Sequence, residues 1–155
     1  MNYQLRGLEP AQFEKLFDLD EAELAKRGMR WMRADKPVGF PCRISLEDAP
    51  VGEEVLLLPF VHQDSRSPYR ASGPIFVRRG RTEAARIVNA LPSYLTLRPL
   101  SIRAYDAADE MVDAEVVDGK EAKPLLERYL ARDDVAYLHV HFARRGCFAC
   151  RIDRA

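Results

Sequence analysis

The chain has 155 residues, with 24 basic and 24 acidic side chains, so its formal charge is zero when its three histidines are neutral. This length predicts one domain spanning residues 1–155, and the balanced charge argues against a nucleic-acid-binding protein or one held at an anionic membrane surface. No apolar run approaches the roughly 18 residues that a membrane-spanning helix needs.

The cysteine content and the first residues predict a cytoplasmic location. Three cysteines, an odd number, fit reduced thiols better than the disulfide framework of a secreted protein. The first six residues lack the apolar core of a secretory signal peptide.

Two short helices are predicted near the start of the chain. Pro10 suits the first turn of a helix that ends near Phe17. Asp20 followed three residues later by Glu23 is the pattern of a capping box, and Gly28 would end this second helix. Alternating or continuous apolar residues then predict four strands, at residues 29–34, 42–46, 55–60 and 73–78.

A hairpin and a helix follow in the second half. If Tyr105 faces Met111 across a turn, Arg103 falls opposite Asp113, and apolar and charged side chains separate onto two faces. A helix with one apolar face is predicted over residues 122–129. The whole pattern predicts an α+β fold, a single domain with a mainly antiparallel β-sheet and helices packed on one side.

The last predicted hairpin carries two histidines and two cysteines around the turn at residues 143–146. A register in which Phe142 faces Cys147 places Cys147 on one face of the sheet. The other face then presents four side chains, namely His139, His141, Phe148 and Cys150.

These side chains raise the question of a metal site. His139, His141 and Cys150 could bind zinc from one face, with Cys42 as a fourth ligand. The alternative is that Cys150 is a small buried hydrophobic residue and that the histidines bind backbone groups. Because free cysteine is usually buried without a function, no metal is favoured and no cofactor is predicted.

The longest irregular stretch, residues 62–73, contains the parts of an anion pocket. His62 can exchange a proton near neutral pH, and Arg70 can hold a carboxylate or phosphate through its planar fork. Tyr69 and Ser72 can donate hydrogen bonds to the same anion. The alternative interpretation is a hydrated surface loop without a ligand.

Much of the chain resembles a bacterial family catalogued as domain of unknown function 1203. The stretches that carry the resemblance are residues 39–46, 54–60 with His62 and Gln63, 67–77, 101–106, and 136–141 with Gly146 and Cys147. The resemblance implies a compact bacterial domain and no particular activity. It singles out Cys42, His62, Tyr69, Arg70, His139, His141, Cys147 and Arg151.

The chain departs from the family pattern at two positions. The pattern has a polar residue at the position of Phe142 and a small one at the position of Cys150. This departure weakens the zinc hypothesis and makes Cys147 the thiol of interest.

The favoured hypothesis is a protein that binds a small anionic molecule and could also be an enzyme, using the 62–73 loop together with the 139–151 hairpin. The ligand-binding candidates are Tyr69, Arg70, Ser72 and Arg151. The catalytic candidates are His62, His139, His141 and Cys147, with a histidine as proton carrier or Cys147 as nucleophile.

Two alternatives belong to other classes. One is a structural or regulatory zinc module, and the other is a protein-interaction domain that meets an acidic partner through Arg144 and Arg145. The sequence contains no complete catalytic signature. It therefore does not decide between these classes, name a substrate or define an oligomeric state.

Overall fold

The structure is a computed structural model that describes residues 1–80 and 83–155. Eleven strands occur in the described residues: β1 (Tyr3–Arg6), β2 (Arg30–Arg33), β3 (Pro41–Cys42), β4 (Glu47–Asp48), β5 (Glu54–Gln63), β6 (Ala71–Arg78), β7 (Arg86–Val88), β8 (Pro99–Tyr105), β9 (Met111–Asp118), β10 (Tyr137–Phe142) and β11 (Phe148–Arg154). The described helices are α1 (Glu21–Lys26), α2 (Ser93–Thr96) and α3 (Ala122–Leu130), with 3₁₀ segments at Pro10–Gln12, Glu14–Asp18 and Gly119–Glu121.

The strands form two sheets, and the predicted α+β fold is confirmed. The first sheet has the order β7-β1-β11-β10-β8-β9 and the second the order β2-β5-β6-β3-β4. All pairings in the described strands are antiparallel except the short contact of β3 with β6. In the described residues no helix is both long and apolar enough to cross a membrane.

The largest core lies between the first sheet and α3. Alternate residues of β8 and β10, such as Ile102 and Val140, point to one face, where they pack against Leu126 and Tyr129 of the helix. The other face of the same strands is therefore left for polar and aromatic side chains, including the two histidines of β10.

The N-terminal predictions are partly confirmed. The Asp20 side chain accepts a hydrogen bond from the Glu23 N–H at 2.8 Å, and Gly28 has a φ of +73°, as the predicted cap and stop require. The helix predicted from Pro10 to Phe17 is wrong, because this segment forms two 3₁₀ pieces instead. The strand predicted over 42–46 is also wrong beyond Cys42, because the chain turns there.

The hairpin of β8 and β9 has the predicted register only at its turn. Tyr105 faces Met111 as expected, but a bulge between Ala104 and Tyr105 shifts every pair beyond it by one residue. Arg103 therefore lies opposite Ala114, and the predicted Arg103–Asp113 pair is wrong. Asp113 instead binds Arg132, which follows α3.

The C-terminal hairpin deviates in the same way. His141 lies opposite Phe148 as predicted, but a bulge between Val140 and His141 pairs Val140 with Cys150. The prediction that His139 faces Cys150 is wrong, since its partner is Arg151. Because side chains alternate along a strand, this shift moves Cys150 into the α3 core and away from the histidine face.

Replacing Gly119 with alanine is expected to destabilise the fold by at least about 2 kcal/mol. A Cβ at this position would overlap the Leu95 carbonyl oxygen and lie 2.6 Å from that of Arg98, so the backbone would have to move. Gly73→Ala is the matched control, because its Cβ would meet no atom within 4 Å. Urea unfolding measures both variants, and equal stability would contradict the expected clash.

Candidate functional site

Three histidines from the two sheets converge on one point. His62 is the penultimate residue of β5, and His139 and His141 lie on one face of β10. One ring nitrogen from each lies within 4.8 Å of the others. We call these three residues the histidine cluster, and they are all the histidines of the chain.

Strand geometry explains how the cluster forms. The β10 strand lies between β11 and β8, so two residues spaced by two present both rings side by side. The β5 strand is ten residues long and extends to Gln63, so His62 belongs to this strand and not to the loop in which it was predicted. A third bulge, between Val61 and Gln63, ends the regular pairing of β5 with β6 at this histidine.

Hydrogen bonds define the chemical state of His141. Its Nδ1 lies 2.9 Å from the Gly146 carbonyl oxygen, which only accepts, so Nδ1 carries the proton and donates it. The lone pair is therefore on Nε2, the form in which an imidazole binds a metal ion. Gly146 belongs to the hairpin turn and has a φ of +80°.

The other two histidines have unsatisfied nitrogens. The Nδ1 atoms of His62 and His139 are buried and have no hydrogen-bond partner. A buried polar atom without a partner costs free energy, and native structures contain few of them. Two such atoms in one cluster are polar groups that the described residues leave without a partner.

All three imidazoles are neutral at physiological pH. Burial, followed by electrostatic repulsion from His141 and then Arg151, lowers the pKa of His139 to about 3. Burial is also the main cause that lowers the pKa of His141 to about 3, with Arg103 adding to it. The pKa of His62 is lowered by burial and then by Arg103. Neutral imidazole is the ligand form for transition metals.

Aromatic rings pack around the cluster. Phe148 stacks on His62, with centroids 5.5 Å apart and planes 5° from parallel, and meets His139 edge-on at 5.1 Å. Tyr105 and Tyr137 contact the His139 ring from the other side, at 5.1 and 5.2 Å. Neither tyrosine was predicted as a site residue, although each lies on the histidine face of its own strand.

The tyrosine end of the site is held by a polar chain. Gln63 donates to the Tyr137 hydroxyl at 2.9 Å, and that hydroxyl donates to an Asp109 carboxylate oxygen at 2.5 Å. Burial and the Asp109 carboxylate raise the pKa of Tyr137 well above its usual range. Tyr137 therefore remains a neutral phenol that links β5, β10 and the β8–β9 turn.

Arg103 is the charged group next to the cluster. Its Nη1 lies 3.4 Å from Nε2 of His141, a long contact to the nitrogen that holds the lone pair. A pair between Arg103 and Asp113 was predicted, but the extra residue Val112 on β9 moves Asp113 opposite Ala104. Arg103 lies opposite His139 in the regular pairing of β8 with β10. Arg103 was not predicted as a site residue, because its charge was assigned to the pair with Asp113.

The structure does not bring the cysteines to the histidines. Cys150 lies in the α3 core, and Cys42 lies in a separate core, where its Sγ accepts the Arg78 N–H at 3.3 Å. Cys147, predicted as a nucleophile, is half-buried at the hairpin turn and packs against the α3 core. Burial raises the pKa of Cys150 to about 12, so this thiol stays protonated.

Of the predicted anion ligands in the 62–73 loop, Tyr69 contacts a tyrosine of the site. The ring of Tyr69 meets Tyr105 edge-on at 6.4 Å, and exposed Arg70 pairs with Asp64. Ser72 is exposed on β6. Arg151, opposite His139, covers the Tyr137 ring at 3.9 Å and binds Asp153.

A metal ion fits this arrangement after a small adjustment. Zinc–nitrogen bonds of 2.0–2.1 Å in a tetrahedron place the nitrogens about 3.4 Å apart, so the widest pair, now within 4.8 Å, must approach by at most about 1.4 Å. Rotation of the half-buried His62 ring provides such movement. Three protein ligands would leave a fourth position open, as in catalytic zinc sites.

The family model described as "Protein of unknown function (DUF1203)" matches residues 39–154. The chain belongs to this family. The DUF1203 region begins after β2 and contains the whole histidine cluster, Phe148 and Arg103. No curated protein and no solved structure matches the chain. The proposals below therefore rest on the residues of this DUF1203 protein alone.

Proposed function

We propose that the histidine cluster binds a divalent transition-metal ion of the zinc class and that this centre binds a small anionic molecule. The observation that carries the proposal is the convergence of three neutral imidazoles within 4.8 Å. The unpartnered buried Nδ1 atoms of His62 and His139 support it, since native structures leave few buried polar atoms without a partner.

The donor set favours this class of metal. Imidazole nitrogen suits zinc, copper, iron and nickel, whereas magnesium and calcium require oxygen ligands. The Gly146 carbonyl oxygen already holds the Nδ1–H of His141, the outer contact that orients a metal-binding imidazole. A backbone carbonyl in this role keeps the ligand neutral.

The charge of the site favours an anion as the further ligand. Three neutral imidazoles leave the full +2 charge of the metal ion, and Arg103 adds a positive charge beside His141. A carboxylate or phosphate at the open position would bind the metal and could accept hydrogen bonds from the Arg103 guanidinium. The metal would polarise that anion or activate a bound water molecule.

We place this centre in a reducing compartment, the bacterial cytoplasm. Cys42, Cys147 and Cys150 are all free thiols, which persist best where thiols stay reduced.

Metal titration of protein made without a histidine tag tests the proposal. Chelator-treated protein is expected to bind one Co²⁺ or Zn²⁺ per chain, and Co²⁺ should give the intense visible bands of a tetrahedral site. His62→Ala and His139→Ala should each weaken binding at least about 100-fold, because each removes a ligand. The measurement has little background, since the chain has no other histidine.

Cys150→Ala is the control that distinguishes the three-histidine ligand set from the predicted set that includes cysteines. The thiol lies in the α3 core, so metal affinity should not change. Loss of metal in Cys150→Ala would favour the set with cysteine ligands. Absence of metal binding by the wild-type chain would reject both sets.

A further inference from the structure

A cavity of about 480 Å³ opens where the β10–β11 turn meets strands β2, β5 and β6 of the second sheet. Its volume is typical of pockets for small organic ligands. The described residues that line it include no carboxylate and six basic side chains, namely Arg30, Lys36, Arg43, Arg98, Arg144 and Arg145. We call it the cationic cavity. None of the three histidines lines it.

Arg43 is the unusual member of this lining because it is only 2% exposed. Its Nε donates to the Phe148 carbonyl at 2.8 Å and its Nη1 to the Pro41 carbonyl at 2.7 Å. Carbonyl oxygens hold the guanidinium in place without neutralising it. Among the described residues Arg43 makes no ion pair, and a buried charge without a counter-ion is unfavourable.

The third guanidinium nitrogen of Arg43, Nη2, is a hydrogen-bond donor without a partner among the described residues. It is nevertheless not among the fully buried atoms that lack a partner. It must therefore border accessible space, and the space that Arg43 lines is the cationic cavity. Arg98 differs, because Asp48 already binds its guanidinium.

The remaining wall of the cavity is apolar. Leu57 of β5 and Phe76 of β6 are directly paired neighbours, and Phe142 of β10 also lines the cavity. The Phe142 ring also lies 5.2 Å from the Arg43 guanidinium carbon. A ligand for this wall must have an apolar body as well as a charged end.

We propose that the cationic cavity binds an amphipathic carboxylate. Its carboxylate pairs with Nη2 of Arg43, and its hydrocarbon body packs on Leu57, Phe76 and Phe142. A single open nitrogen at the buried end matches a monoanionic carboxylate better than a phosphate, which needs more donors. Exposed Arg144 and Arg145 raise the positive potential at the mouth and attract the anion.

Calorimetric titration of the chelator-treated protein with decanoate tests this proposal, and decanol serves as the neutral counterpart of equal length. Removing metal beforehand keeps the histidine cluster from contributing. Decanoate is expected to bind one site per chain at least about tenfold more tightly than decanol, because only the acid pairs with Arg43. No binding of decanoate, or equal affinity for decanol, would overturn the proposal.

Two variants locate the ligand. Arg43→Gln should weaken decanoate binding at least about tenfold, and Arg27→Gln, which removes an exposed charge at the end of α1, should not. If Arg43→Gln does not fold, Leu57→Trp provides the test, because its larger ring fills the cavity from the half-buried wall. Unchanged decanoate binding in a folded Arg43→Gln or Leu57→Trp protein would reject the assigned site.

Discussion

Lowering the pH from about 7.5 to about 5 is expected to reduce the free energy of unfolding of the metal-free protein by roughly 4 kcal/mol. The pKa values of His139 and His141 are about 3 in the folded chain and return to about 6.5 on unfolding. Between these values the unfolded chain binds more protons. Stability is therefore complete above about pH 6.5 and declines steadily as the pH falls toward 3.

The size of this stability loss follows from how far the pH falls below 6.5, the pKa of histidine in the unfolded chain. Each histidine loses about 1.4 kcal/mol per pH unit below 6.5, so two histidines lose roughly 4 kcal/mol at pH 5. Carboxylates contribute little in this range. Arg132 lowers the pKa values of Asp113 and Asp134 further below their ordinary value of 3.8.

Urea unfolding followed by the fluorescence of Trp31, the single tryptophan, measures this loss. His139→Asn is the matched control, because it removes one titrating group and should lower the pH-dependent loss by about half. Equal stability at both pH values would mean that the folded chain accepts these protons at pH 5. The histidine cluster would then not be neutral at that pH.

Local features of the fold were predictable from the sequence. The Asp20 cap, the stop at Gly28 and the pairs next to each hairpin turn depend on residues close together in the chain. Such short-range patterns are sufficient to define where helices and hairpins begin. The α+β fold followed from their order.

The face of the sheet on which each side chain lies depended on two bulges that no sequence pattern predicts. One extra residue on β11, Ala149, lies between the partners of Val140 and His141 and moved Cys150 from the predicted histidine face into the core. Another on β9, Val112, moved Asp113 away from the position opposite Arg103. Because strand side chains alternate, a single inserted residue reverses every later assignment on that strand.

The meeting of His62 with the β10 histidines was not predictable, because it depends on how the two sheets pack. His62 is more than 70 residues away from His139 and His141 in the chain, and no local pattern connects β5 with β10. All three were named as catalytic candidates in the favoured hypothesis, which used the 62–73 loop together with the 139–151 hairpin, but His62 was assigned to the loop and no pattern defined its contact with the other two. Packing of the sheets makes the three into one cluster.

Replacing Arg103 with glutamine is expected to tighten Zn²⁺ binding at least about tenfold. The guanidinium is half-buried and lies beside Nε2 of His141, where its charge repels a divalent ion. Over about 6 Å, at an effective dielectric constant of about 20–80, this repulsion is on the order of 1–5 kcal/mol. A tenfold change in metal affinity corresponds to the lower end of this range. Competition against a metal-binding dye measures the change.

The same variant should weaken the binding of anions to the metal centre. In the Co²⁺ protein, acetate is expected to shift the visible spectrum by entering the open position, and Arg103→Gln should raise its Kd at least about tenfold, because the charged donor is lost. Arg128→Gln is the matched control: it removes an equal charge from α3, where Glu115 already pairs with it, and neither affinity should change. Opposite changes for metal and anion would establish Arg103 as the anion ligand of the centre. Weaker zinc binding in Arg103→Gln would instead mean that the guanidinium only holds His141 in position.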